Sequence, residues 1–216
     1  MSVNILGKEY PIATTTELDL SYNNLTEITE SLGSLSNLQY LKLNNNKLTS
    51  LPKSIGKLSN LLELDLDNNK LTILPKTIGS LSNLEYLDLS YNKLTRLHES
   101  IGNLSNLQRL FLGVNKLTNL PESIQSLSNL KYLYLYDNKL TSLPESIATL
   151  TKIENFVLDE SSYNINNLSM DCHTLILTNI KNNITNLPPI LRTLYLKSNI
   201  DVDMIKIPYG CDIIRF

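Results

Sequence analysis

A 23-residue repeat limits what this chain can fold into more than any other feature of its sequence. Consecutive copies share the pattern LxxLxLxxNxL, and the first leucine of the pattern falls at Leu38, Leu61, Leu84, Leu107 and Leu130. An earlier copy begins at Thr15. The period is not a multiple of seven and a proline recurs in most copies, which excludes a coiled coil. One copy is too short to bury its own leucines, so the copies must stack on one another.

The spacing within one copy predicts a short strand, a turn and a return path. Leu64 and Leu66 alternate with Asp65, so the two leucines face inward and Asp65 faces outward. We expect the side chain of Asn69 to point inward and to pair with backbone groups where the strand ends. The proline of LPxSIG suits the first position of a short helical turn, whose isoleucine, such as Ile55, faces inward. The same inward asparagine is expected at Asn23, Asn46, Asn69, Asn92, Asn115 and Asn138.

The ends of the chain depart from the repeat, and we expect one continuous domain with three parts. Residues 1–14 form two alternating runs around Gly7 and Lys8, which predicts an N-terminal cap in the form of a β-hairpin. Residues 15–152 hold the regular repeats, and residues 153–216 hold irregular repeats and a C-terminal cap. The register between 153 and 187 stays open between two alignments. Strands about 4.8 Å apart would make eight or nine turns about 40 Å long.

The repeat LPxSIGxLSNLxxLxLxxNKLT resembles the leucine-rich-repeat superfamily, and within it the intracellular 23-residue class that includes the Ras-binding scaffolds of animals and their plant relatives. The resemblance covers residues 15–152 well and 153–216 poorly. It implies an α/β solenoid, a horseshoe with a parallel β-sheet on its concave side and short helical turns on its convex side. It also implies that the concave face binds proteins and that the repeats are not enzymatic. The high Asn, Ile and Lys usage is similar to that of AT-rich genomes, such as those of amoebae or the giant viruses that infect them.

Composition and charge argue against several classes of function. The chain has 19 Lys and Arg residues and 21 Asp and Glu residues, so its net charge is −2. This balance gives no excess of basic charge that would attract nucleic acid. The 2 cysteines are too few for a disulfide-rich scaffold. No apolar run approaches the roughly 18 residues that span a membrane, and the first residues lack the pattern of a secretory signal. We therefore expect a soluble, cytoplasmic, monomeric protein with no nucleic-acid and no membrane partner.

Residues that could support catalysis or bind a metal form no recognisable constellation. His98 stands where other copies have proline and has no recurring carboxylate or nucleophile beside it. Cys172 and His173 are neighbours on a strand-like segment, so alternation sends them to opposite faces. The motifs GxSxG, GxxxxGK[ST], HExxH and GxGxxG are absent. The sequence predicts no enzyme, no cofactor and no metal.

The outward positions of the strands divide the concave face into two territories. The early copies present mainly carboxylates, interrupted by Lys42, and these are Glu17, Asp19, Glu63, Asp65, Asp67 and Asp88. The later copies present a candidate protein-binding platform that consists of Tyr86, Arg109, Phe111, Tyr132, Tyr134 and Tyr136. Tyr and Arg are enriched at interface hot spots, and exposed apolar patches mark partner sites. The alternative is that the rings only stack on one another as cross-strand pairs.

These observations favour a non-enzymatic protein-interaction module that binds a protein partner on its concave face through the aromatic platform. Two other functions stay open. The first is a structural or virion-associated solenoid whose repeats serve as a rigid spacer. The second is the substrate-recruiting subunit of a larger assembly.

Overall fold

The computed structural model describes residues 1–158, 173–177, 184–185, 187 and 189–216, and within them each coil of a solenoid adds one short strand to a parallel sheet. Ten strands of the described residues lie side by side in chain order in this sheet. They are β3 (Glu17–Asp19), β4 (Tyr40–Lys42), β5 (Glu63–Asp65), β6 (Tyr86–Asp88), β7 (Arg109–Phe111), β8 (Tyr132–Tyr134), β9 (Asn155–Leu158), β10 (Thr174–Leu177), β11 (Thr193–Leu196) and β12 (Asp212–Arg215). The sequence-based expectation of eight or nine turns is therefore too low, because β12 extends the sheet beyond β11.

The convex side is built from short 3₁₀ helices that return the chain from one strand to the next. Their bounds are Glu30–Ser34, Lys53–Lys57, Lys76–Ser80, Glu99–Asn103, Glu122–Ser126, Glu145–Thr149 and Val202–Met204. The strands and these helices together confirm the predicted α/β solenoid, a leucine-rich-repeat horseshoe.

The repeated proline lies one residue earlier than the sequence suggested. Pro75 has extended backbone angles (φ −66°, ψ 146°) and precedes the helix as its N-cap. Its carbonyl oxygen accepts the N–H of Ile78 at 3.0 Å. Because proline has no N–H of its own and a fixed φ, it loses nothing at this extended position. The prediction that it occupies the first helical position was wrong by one residue.

The leucines and isoleucines of the repeat form one continuous core along the solenoid. Leu64, Leu66 and Ile55 have no exposed surface, as the alternation within the repeat predicts. Burying one such side chain contributes about 1.5–3 kcal/mol. Since each coil covers the core side chains of the next, stability is shared between neighbours rather than held within one coil.

The turn asparagines form a buried ladder that joins each coil to the coil before it. The Nδ2 of Asn92 donates to the carbonyl oxygens of Leu89 in its own coil and of Leu66 in the preceding coil, at 3.2 and 2.9 Å. Its Oδ1 accepts the N–H of Leu71 at 2.9 Å. Asn46, Asn69, Asn115 and Asn138 make the equivalent bonds.

Asn23 is the exception to this ladder. Its side chain is exposed and donates to the carbonyl oxygen of Ser21 in its own coil. The expectation that Asn23 also points inward was wrong. No regular coil precedes it, so the carbonyl that the other asparagines bond in the preceding coil is absent.

A second asparagine ladder runs along the outside and was not anticipated from the sequence. The asparagine of each LSN segment donates to a backbone carbonyl of the preceding coil, as Asn83 does to Ser59 at 2.8 Å. Asn37, Asn60, Asn106 and Asn129 repeat this contact. Both ladders follow from the 23-residue repeat, which places one asparagine of each kind in each of these coils.

The N-terminal residues form a two-stranded antiparallel sheet of their own, with β1 (Ser2–Ile5) paired to β2 (Lys8–Pro11). The turn consists of Leu6 and Gly7, both with positive φ (55° and 79°), one position earlier than the sequence suggested. Two residues of this backbone type form the tight turn that suits the twist of a hairpin. Val3 and Ile5 are buried and join the core.

The strands between residues 155 and 196 have a single register among the residues that the structure describes. Leu175 lies opposite Phe156 on one side and Leu194 on the other. All three are buried. The structure therefore gives the register that the sequence left open at this segment, with TLIL as the strand.

We predict that Leu110→Ala lowers the free energy of unfolding by about 2–5 kcal/mol, because the side chain is fully buried and the neighbouring coils cannot close the cavity. Urea unfolding followed by circular dichroism measures the loss. The matched change Ile73→Ala removes a side chain that is 43% exposed and should cost less than about 1 kcal/mol. Equal costs would contradict the register.

We also predict that Asn92→Ala costs about 2–4 kcal/mol, because it leaves buried backbone groups of two coils without partners. Asn83→Ala removes an exposed amide, and water can then hydrogen-bond to the carbonyl oxygen of Ser59 in its place. This change should therefore cost no more than about 1 kcal/mol. Urea unfolding of both variants gives the comparison. An Asn92 variant as stable as the Asn83 variant would show that the buried ladder does not couple the coils.

Candidate functional site

The strand register places the six residues of the predicted platform on three neighbouring strands and the turn after one of them. Tyr86 lies beside Arg109, which lies beside Tyr132. In the next outward row, Phe111 lies beside Tyr134. Tyr136 follows β8 by two positions, so alternation sends its side chain to the same concave side. We keep the name aromatic platform for these six residues.

Three rings of the aromatic platform form a connected row across the strands. The ring centroids of Tyr86 and Phe111 are 5.4 Å apart with an interplanar angle of 53°. Those of Phe111 and Tyr134 are 4.7 Å apart and nearly perpendicular, at 87°. The Phe111–Tyr134 pair is edge-to-face, and a pair of this geometry contributes about 0.5–1.5 kcal/mol beyond the area that it buries. The rings therefore stabilise the sheet, and because each is only partly buried they also leave apolar surface open to solvent.

Arg109 and Tyr132 form a second pair beside that row. The guanidinium carbon of Arg109 lies 5.7 Å from the centroid of the Tyr132 ring, within the range of a cation–π interaction. The hydroxyl of Tyr132 donates to Oε2 of Glu154 at 3.3 Å, and Lys131 bridges Oε1 of the same carboxylate at 3.3 Å. Glu154 thus fixes the tip of the Tyr132 ring, while Arg109 stays exposed.

Tyr136 lies directly over Gly113 and marks the edge of the platform. A Cβ atom at position 113 would lie 2.4 Å from the Tyr136 ring, so glycine makes the room for the tyrosine. The side chain of Tyr91 lies beside that of Tyr136, and burial, followed by Tyr91 and nearby carboxylates, raises the pKa of Tyr136 to about 12. Tyr91 was not among the predicted site residues. Its position 45 residues before Tyr136 in the sequence gives no signal of the contact.

The backbone beneath the platform is strained at Val114. This residue has a φ of +54°, and the same turn position has a positive φ in the other coils, at Tyr22, Asn45, Asn68, Tyr91 and Asp137. A β-branched side chain in the left-handed region costs about 1–2 kcal/mol, whereas asparagine tolerates that region. The left-handed turn is therefore a property of the repeat, and Val114 is the β-branched residue that adopts it.

The carboxylates of the early coils crowd together on the concave face. We define the acidic patch as Glu63, Asp65, Asp67 and Asp88. Burial, followed by repulsion from Asp88 and Asp65, raises the pKa of Asp67 to about 6. Burial, followed by repulsion from Asp88 and Glu63, raises the pKa of Asp65, and Lys42 offsets this only in part. The acidic patch is therefore a site of uncompensated negative charge.

Part of this acidic charge also supports the turns. Oδ1 of Asp65 accepts the backbone N–H of Asp67 at 3.0 Å, and Oδ1 of Asp88 accepts that of Ser90 at 2.8 Å. Asp19 does the same for Ser21. A carboxylate in this outward row is thus useful to the fold.

The acidic patch and the aromatic platform meet on β6. The hydroxyl of Tyr86 donates to Oδ2 of Asp88 at 3.2 Å. Burial and the Asp88 charge raise the pKa of Tyr86 far above the usual tyrosine value, so the phenol stays protonated and keeps donating. The two territories predicted from the sequence are therefore contiguous.

Of the residues considered for catalysis or metal binding, His98 and His173 lie in the described part of the chain, and His98 has a structural role. Nδ1 of His98 accepts the N–H of Ser100 at 3.0 Å and caps the helix that follows. His173 precedes β10, and Cys172 lies outside the described residues. Within the described ranges, no cluster of three or more His, Cys, Asp or Glu is arranged to hold a metal ion. No helix in that part of the chain has the length and apolar character that crossing a membrane requires.

Comparisons with known proteins give consistent results. A family profile described as a leucine-rich repeat region matches residues 17–110 and 76–177. A leucine-rich-repeat protein of Leptospira interrogans is 30% identical, with a TM-score of 0.55 over 90% of this chain and 60% of that one. An internalin, InlF of Listeria monocytogenes, is 25% identical, with a TM-score of 0.73 over 93% of this chain and 60% of that one.

A third similar structure is the ectodomain of the receptor kinase GASSHO1/SCHENGEN3 of Arabidopsis thaliana, solved in complex with Casparian strip integrity factor 2. It is 23% identical, with a TM-score of 0.65 over 93% of this chain and 30% of that one. This chain thus spans 60% or less of the length of these three proteins. No curated protein sequence matches it.

The raised pKa of Asp67 predicts a pH-dependent gain in stability for Asp67→Asn. Because the folded pKa of about 6 lies above the ordinary value of 3.8, the folded state holds this proton more tightly than the unfolded chain does. The stabilisation is full below the ordinary pKa and is lost as pH rises through the folded pKa. Asp67→Asn should therefore be more stable than the wild type near pH 7, with no difference at about pH 3.

Urea unfolding at the two pH values measures this difference. The control is Ile73→Ala, which alters no ionisable group and should show the same difference from wild type at both pH values. An Asp67→Asn difference that does not change with pH would contradict the crowding of the acidic patch.

Proposed function

Because the chain belongs to the leucine-rich-repeat family, we propose that it is a non-enzymatic protein-interaction module that docks a protein partner on the concave face of its sheet. The contact residues in this proposal are those of the aromatic platform: Tyr86, Arg109, Phe111, Tyr132, Tyr134 and Tyr136. We place this activity in the cytoplasm as part of the same proposal.

The observation that carries the proposal is the row of rings from Tyr86 through Phe111 to Tyr134. Their centroids are 5.4 and 4.7 Å apart on a face that no other part of the described chain covers. Contacts between the rings hold them in fixed orientations before any partner arrives, which lowers the entropy cost of binding. The stacking considered as an alternative thus also favours the binding function.

The residues around the row support the same proposal. Gly113 leaves the room that the Tyr136 ring occupies at the platform edge. The repeat does not require glycine at this position, since the corresponding residues of the other coils are Ser21, Asn44, Asp67, Ser90 and Tyr136.

We predict that Phe111→Ala combined with Tyr134→Ala abolishes capture of the partner while the protein stays folded, because both rings are only partly buried. The matched control is Tyr22→Ala with Tyr209→Ala, which removes two exposed rings far from the platform. Affinity capture from lysate, with quantitative mass spectrometry and circular dichroism on each bait, measures the outcome.

The result that supports the proposal is a protein retained by the wild type and by the control but lost to the platform variant. Binding of that protein, once purified, must show the same pattern. If all three baits retain the same proteins, the concave platform is not the docking site, and the function of a rigid spacer is favoured instead.

A further inference from the structure

The concave face is divided by charge, and this division restricts the kind of partner that fits it. On β3 to β6 the outward side chains include five carboxylates and one lysine, and Asp67 in the turn after β5 adds a sixth carboxylate. On β7 and β8 the outward side chains are aromatic apart from Arg109. The six carboxylates are Glu17, Asp19, Glu63, Asp65, Asp67 and Asp88. A partner that covers both halves must neutralise the negative charge of the first half and bury the aromatic side chains of the second half.

The protein itself does little to neutralise the acidic half. Among the described residues, the one salt bridge joins Lys131 to Glu154, outside this half. Lys42 provides the positive charge on these strands, and its effect on Asp65 is smaller than those of burial and of the neighbouring carboxylates. The raised pKa of Asp67 has the same cause. A cation brought by a partner would relieve this repulsion, whereas a phosphate backbone would increase it.

Resting on the proposed function, we infer that the partner contributes an extended, positively charged peptide segment that lies across the strands. Its Lys or Arg side chains lie over the acidic patch, and an apolar or aromatic side chain of the same segment packs on the row formed by Tyr86, Phe111 and Tyr134.

Strand spacing determines how far apart these two features lie in the partner. Neighbouring strands are about 4.8 Å apart, so the distance from Asp65 on β5 to Phe111 on β7 is roughly 10 Å, and to Tyr134 on β8 roughly 14 Å. An extended chain advances about 3.3 Å per residue. The basic residue therefore lies about three or four positions from the apolar residue.

An open cleft extends the acidic half toward the N-terminal end of the sheet. Its volume is about 250 Å³. It is lined by Glu17, Leu18, Asp19, Tyr40, Lys42 and Glu63. The carboxylates of this cleft suit a second basic side chain of the same segment, further from the apolar anchor than the first.

Selection from a phage-displayed library of random 12-residue peptides tests this inference on the whole chain. Enriched peptides should carry Lys or Arg about three or four positions from an apolar or aromatic residue. Their binding, measured as synthetic peptides by fluorescence anisotropy, should weaken about tenfold on Glu63→Gln with Asp67→Asn. Both replacements keep the side-chain size. The matched control is Glu122→Gln with Glu145→Gln, which removes the same charge from the convex side and should leave binding unchanged.

The outcomes separate this inference from the proposed function. Peptides that lose binding with Phe111→Ala and Tyr134→Ala, but not with Glu63→Gln and Asp67→Asn, would overturn the basic-partner inference and leave the platform standing. Peptides insensitive to both pairs of substitutions, or a library without enrichment, would count against both. Enriched peptides that are neutral or acidic would also overturn the inference.

Discussion

The buried asparagine ladder is the interaction on which the rest of this structure depends. Each amide donates to carbonyls in two successive coils and accepts an N–H from the earlier one, as Asn69 does with Leu66, Leu43 and Leu48. A parallel strand of three residues cannot satisfy the backbone where it turns, and an unpaired buried group costs about 1–3 kcal/mol. The asparagine meets that need and holds neighbouring coils in one register. The leucine core then stacks without shifts between coils.

A fixed register leaves the outward strand positions free to vary. The residues at these positions distinguish the surface of this protein from that of other repeat proteins. The inward Leu110 can only be a core residue, but its neighbours Arg109 and Phe111 face the concave side. Since neighbouring strands place the same repeat position side by side, each outward choice adds to a continuous surface. The acidic patch and the aromatic platform arise in this way, and they meet where Tyr86 donates to Asp88.

Much of this arrangement follows from the sequence, because the repeat fixes which residues lie side by side. The pairing of Tyr86 with Arg109 and of Phe111 with Tyr134 could be predicted by aligning the copies. The ring geometry could not, because it depends on rotamers that the neighbouring side chains select. The proximity of Tyr91 to Tyr136 was also beyond the pattern, since these residues occupy two different repeat positions.

Other features were missed for reasons that concern the backbone. The alignment of copies identifies the proline but not whether it begins or precedes a short helix, since both positions tolerate its fixed φ. Asn23 has the same residue type as the buried asparagines but lacks a preceding coil. The register near β10 was ambiguous because the asparagine spacing is lost there, and it is decided by the position of the buried Leu175 between Phe156 and Leu194.

Site-specific photo-cross-linking tests the central claim, that the partner lies on the concave face, most directly. With p-benzoylphenylalanine in place of Phe111, irradiation of the complex should join the partner covalently to the protein. The same amino acid in place of Tyr22, whose side chain is 73% exposed and outside the platform, should give no product. A partner that cross-links from position 22 and not from position 111 would contradict the account.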